Sequence, residues 1–135
     1  MNGAGVVFDH TALLALGSGS QLASQLVVAA HGQVGRHVYT PALCLAAAVA
    51  QRPALADHIG ALPAMEVIEL GFTAAGSVGH LIADGADWQA CQAIDAARPS
   101  AEWPHGLPVV TALPALYRPH GIALIPLEKG SPGGQ

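Results

Sequence analysis

The stretch Ala4-Gly5-Val6-Val7-Phe8-Asp9-His10-Thr11 most restricts what this chain can become. A short, Val-rich apolar run ends in a carboxylate and a hydroxyl, then passes directly into a Leu/Ala-rich helical pattern. An apolar run this short reads as a strand covered on both faces, the kind found at the centre of a parallel sheet. Asp9 then stands at the carboxyl end of that strand, where open α/β sheets form their binding crevices. The same position also suits a plain helix cap.

The rest of the chain repeats the alternation. Strands are expected at 37–40, at 65–70, at 107–111 and at 122–125. The 65–70 strand alternates polar and apolar residues, as suits a sheet edge with Glu66 and Glu69 exposed. Helices are expected at 11–16, at 21–31, from Pro41 to Gln51, from Pro53 to about Gly60, at 72–83 and at 88–97. Ser20 and Asp87 stand in N-cap positions, and Gly32 and Gly35 close the second helix. Leu22, Leu26, Val27 and Ala30 share one face of that helix, and Val78, Leu81 and Ile82 form the stripe of the fifth. A brief helical turn carries Tyr117 between the last two strands. Strands alternating with helices predict a three-layer α/β/α sandwich with a mostly parallel five-stranded sheet and right-handed crossovers. Residues 1–129 are expected to make one domain and 130–135 a disordered tail.

Composition narrows the function classes. Charged residues make up only 10% of the 135 residues against 52% hydrophobic, so part of the surface is expected to meet a partner. The net charge of −4, with five Lys and Arg in all, gives no global attraction for nucleic acid. The longest uncharged apolar stretch, Pro41 to Ala50, is too short to cross a bilayer, and no secretory signal pattern opens the chain, so a soluble cytoplasmic protein is expected. Cys44 and Cys91 lie in apolar helical patterns without ligand spacing and read as reduced core residues. The seven histidines are scattered.

In a parallel sheet the polar strand ends Asp9/Thr11, Thr40 and Thr111 fall on one edge, and Asp87 opens a helix leading toward the Thr111 strand. With Asp9-His10-Thr11, Pro41-Ala-Leu-Cys-Leu-Ala, Asp87 and Val109-Val-Thr111 in place, the chain resembles the PIN domain, in particular the single-domain VapC-type toxins of bacteria. The resemblance runs from about Val6 to Leu127. It implies a Mg²⁺-dependent endoribonuclease, with Mn²⁺ as a substitute metal, held inactive by a small antitoxin and commonly dimeric. Asp9 and Thr11 match the family's first acid and its following hydroxyl, and Asp87 matches the third acid. The second acid would fall at about Ala47 and the fourth at Leu113, so two of four are missing.

By this resemblance Asp9, Asp87, Thr11 and Thr111 are the catalytic set, with Asp9 and Asp87 the metal ligands. One or two carboxylates can hold Mg²⁺ when substrate phosphates and waters complete its shell, but two carboxylates hardly support two ions. The reading that follows is a degenerate PIN-like protein, a homodimer, that keeps the fold and acts by binding an antitoxin-like protein or an RNA, with weakened or lost nuclease activity. The alternative is a working endoribonuclease toxin, in which Arg36, Arg52 or Arg98 positions the RNA backbone and Asp84 stands in for a missing acid.

Overall fold

The computed structural model of the protein describes residues 5–33 and 36–127. Five strands, β1 (Gly5–Phe8), β2 (His37–Pro41), β3 (Met65–Ile68), β4 (Val109–Thr111) and β5 (Leu124–Pro126), form one sheet. Their order is β3-β2-β1-β4-β5 and every neighbouring pair is parallel. Parallel strands require crossovers, and six helices supply them. These are α1 (His10–Gly17), α2 (Gln21–Gly32), α3 (Ala42–Gln51), α4 (Leu55–Gly60), α5 (Phe72–Ala83) and α6 (Trp88–Ala97).

The helices cover both faces, giving the three layers. Alternate residues of each strand point to opposite sides, so Phe8, Val38 and Val110 pack with Leu13, Leu16, Val27, Ala48 and Leu55 on one face. Val7 and Val109 pack with Val78, Leu81, Cys91, Ile94 and Tyr117 on the other. Helix α3 contributes to both clusters, through Cys44 on the α6 side and Ala48 on the α1 side. The strand order reverses beside β1: the chain moves outward through β2 and β3, then returns to lay β4 on the opposite side. The crevice of such a sheet opens outside the carboxyl ends of β1 and β4.

Most element positions follow the local signals, and the departures have physical causes. Strand β3 is an edge strand, as its alternation suggests, and Glu66 and Glu69 are exposed. Strand β5 begins at Leu124 rather than Ile122, because a 3-10 turn over Arg118–His120 ends in Gly121 at φ 69° and the chain leaves that turn late. Pro126 donates nothing to the ladder, which an edge strand tolerates. In α2 the buried stripe is Ala23 and Val27; Leu22 is 36% exposed and Leu26 only half buried against the core. In α5, Val78 and Leu81 are buried while Ile82 faces outward. Gly35 and the tail from Gly130 lie outside the described residues. Among the described residues, no single helix is long and apolar enough to cross a membrane.

One glycine is required by its surroundings. Gly106 adopts φ 77°, and a Cβ there would stand 2.5 Å from the Ala97 carbonyl oxygen. That close approach lets Leu107 donate to the same carbonyl and feeds the chain from α6 into β4.

Candidate functional site

Asp9 follows β1 and caps α1, so its carboxylate sits where the strand order reverses. Its Oδ1 accepts from the Ala12 amide at 2.9 Å and from the Thr11 hydroxyl at 2.6 Å. Its Oδ2 accepts from the Tyr117 hydroxyl at 2.7 Å. Thr11 is drawn in by the far strand, since its Oγ1 also accepts from the Ala112 amide at 2.8 Å. The Thr111 hydroxyl lies 3.3 Å from that of Thr11 and accepts from the Leu113 amide at 2.9 Å. Because the single Thr11 proton goes to Asp9, Thr111 is the donor between the two hydroxyls. A chain of hydrogen bonds thus runs from Thr111 through Thr11 to Asp9 and staples β1 to β4.

Two features make this a closed arrangement. Asp9, Thr111 and Tyr117 are each 0% exposed. The carboxylate has three of its roughly four acceptor positions filled from within the chain. Burial is the first reason that the Tyr117 phenol is raised far above its ordinary range, followed by the charge of Asp9 and the hydrogen bond to it, with Cys44 and Asp87 adding to the effect. Burial and then the charge of Asp9 likewise push the Cys44 thiol far up, so this cysteine is an inert core group. Both cysteines are free and buried.

Asp87 caps the start of α6, the helix that leads back to β4, so it stands toward the same end of the sheet, yet its setting differs. It is exposed and caps α6 by accepting from the Gln89 amide at 2.8 Å. Asp84 ends α5 and is also exposed. Ala47 is 2% exposed on the inner side of α3, while Leu113 is 42% exposed, and neither position supplies an oxygen. Among the described residues, no group of three or more His, Cys, Asp or Glu side chains is arranged to hold a metal ion. Mg²⁺ demands near-octahedral oxygens at about 2.1 Å. As arranged here, one buried carboxylate with three donors already on it and one exposed cap do not fit that shell.

Of the four arginines, Arg118 follows Tyr117, exposed in the turn Arg118–His120, and the three expected to position an RNA backbone stand elsewhere. Arg36 directly precedes β2, Arg52 follows α3 and donates to the Leu14 carbonyl in the second half of α1, and Arg98 follows α6 beside the start of β4. All three lie toward the amino edge of the sheet, opposite the crevice, because helices returning from the carboxyl edge end there.

Three residues of this region escape a reading of the sequence. Tyr117 sits between two 3-10 turns, Pro114–Leu116 and Arg118–His120, and only the fold shows that its hydroxyl reaches Asp9. Gln92 is 1% exposed, accepts from the Leu43 amide at 2.8 Å and donates to the Ile68 and Glu69 carbonyls at 3.0 and 3.2 Å. It thereby caps α3, whose own N-cap, Pro41, has no side-chain acceptor. A lone amide inside the apolar run Ala90-Cys91-Gln92-Ala93-Ile94 is a readable signal, since a buried polar group needs partners. His10 is 3% exposed with a buried Nδ1 that has no hydrogen-bond partner among the described residues.

Compared with known proteins, the chain matches no family model and no curated sequence.

Proposed function

We propose that this protein is a degenerate PIN-like domain that acts by binding a partner and has lost efficient nuclease activity. The observation that carries the reading is the Asp9 carboxylate, buried and already engaged by three donors of its own chain. Hydrolysis of a phosphodiester by a metal needs oxygens free to enter the metal shell and a bound water to be activated. Thr11 and Thr111 spend their hydroxyls on Asp9 and on each other, so neither hydroxyl is free to orient a water or meet a phosphate.

A protein partner suits the surface better than RNA does. Apolar side chains stand in the open at Phe72 (97% exposed) and Val28 (68%), with Trp88 and Ile82 about half exposed, on a chain of net charge −4. Val28 borders a shallow pocket of about 440 Å³ on α2, with Gly19, Gln21 and Ser24. Either a small antitoxin-like protein or a second copy of the chain, as a homodimer, satisfies these features.

The test is incubation of the purified protein with a mixed RNA pool, with and without Mg²⁺ or Mn²⁺. Asp9→Asn, which keeps the side-chain shape, is run in parallel. The expected result is no metal-dependent cleavage that separates the two proteins. Metal-dependent cleavage by the native chain that disappears in Asp9→Asn would overturn the proposal and establish an endoribonuclease working with a reduced acidic set.

A further inference from the structure

We infer that Tyr117 is a built-in occupant of the acidic crevice, its hydroxyl holding the side of Asp9 from which a divalent cation would otherwise be bound. This rests on the reading of the crevice as catalytically closed, and it names what closes it.

A buried carboxylate must be met by a cation or by enough hydrogen-bond donors to replace water. Among the described residues the one ion pair is His37 with Glu66, at the opposite end of β2, so no side-chain cation meets Asp9. Donors do the work instead: the amino end of α1 through the Ala12 amide, the Thr11 hydroxyl on Oδ1, and the Tyr117 phenol alone on Oδ2. Oδ1 is engaged by groups adjacent in sequence, as in any capped helix. Oδ2 takes no part in the cap, and a residue 108 positions later has been brought to it.

Tyr117 is also held too firmly to be a passing contact. Its ring lies in the cluster containing Val7, Cys44, Ala90 and Val109. Its amide donates to the Pro114 carbonyl at 3.0 Å, and its carbonyl accepts from the His120 amide at 2.9 Å. Pro114 and Pro119 stiffen the flanking turns. A phenylalanine would fill the same space without touching Oδ2, so the hydroxyl is the informative atom.

The experiment uses the full chain, labelled with ¹⁵N and titrated with Mn²⁺ into the millimolar range while the Ala12 and Leu113 amides are followed for paramagnetic broadening. In the native protein these amides should keep their intensity relative to the rest of the chain. Tyr117→Leu keeps an apolar side chain in the cluster and removes the hydroxyl. It should lose intensity selectively at Ala12 and Leu113, and adding Asp9→Asn should restore it. Selective broadening in the native chain overturns the inference whether or not the variant folds, and so does a folded Tyr117→Leu that gains none. Tyr117→Ser, read the same way, replaces Tyr117→Leu where the latter does not fold. Mn²⁺ reaching Asp9 in the native chain while RNA stays uncleaved would sink this inference and leave the binding function standing. Metal-dependent, Asp9-dependent cleavage would sink the binding function itself.

Discussion

Asp9 and Asp87 each open a helix, and each accepts a hydrogen bond from an amide of the first turn. There the likeness ends. Asp9 is 0% exposed and has two further donors, whereas Asp87 is exposed and has only its cap. The local motif, a carboxylate ahead of an apolar helix, is the same in both. What differs is what distant chain delivers: β4 and Tyr117 close over Asp9, while among the described residues nothing comparable covers Asp87. An acid at the carboxyl edge of a parallel sheet is therefore available for chemistry only if the return crossover leaves it open.

The largest effect that tests this contrast is the loss of Asp9. Asp9→Ala leaves the Tyr117 and Thr11 hydroxyls and the Ala12 amide without their acceptor, and each buried orphan costs about 1–3 kcal/mol. A loss of about 3 kcal/mol or more in urea unfolding is expected. In an open metal site, where removing a carboxylate relieves repulsion, stability would hold or rise, so an unchanged midpoint would erase the distinction between the two acids.

A second effect appears in alkali. The folded chain holds Tyr117 protonated well above the ordinary tyrosine range, chiefly through burial and then through Asp9. The unfolded chain ionises it near pH 10. Its contribution is fully present below that pH and is lost as the pH rises toward the raised folded value, by about 1.4 kcal/mol per unit at most. Cys44, also raised, adds the same sign from a slightly lower pH. Tyr117→Phe should flatten the fall of stability above pH 10, followed by denaturant midpoints at each pH. An equally steep fall in the variant would mean that the phenol is not the group responsible.

The smallest effect completes the comparison. Asp87→Ala removes one exposed cap and should lower stability by about 1 kcal/mol. A loss as large as that of Asp9→Ala would show that Asp87 carries more than its helix.

What could be read in the sequence was what is local. The caps Ser20 and Asp87, the bounds of α5 and α6, the edge position of β3 and the free cysteines follow from spacing, because the forces behind them act within a turn or a pleat. The buried face of α2 was partly missed because Leu22 is as apolar as Val27, and only the path of β2 beneath the helix decides which one is covered. The start of β5 was displaced by a turn whose glycine gives no register. Asp9 was identifiable as the polar end of a buried strand. Its engagement was not, since a tyrosine in a turn carries no mark of the carboxylate that it will meet. The missing acids near Ala47 and at Leu113 could be seen only against the resemblance, whereas the closure of the crevice is written in distances.

The order of the strands also governs how the protein comes into being. Strand β1 has its partner β2 close behind it in sequence, but its other neighbour, β4, comes far later, as does the tyrosine 108 residues downstream that meets Asp9. At roughly 5–20 residues per second of synthesis, that interval is about 5–20 s. Throughout it the nascent chain displays a Val-rich strand with one bare edge, a template on which a neighbouring chain can pair. The stretch that carries β4 and Tyr117 is thus the one that seals the first, and a chain cut short before Tyr117 has both its sheet and its charge unfinished.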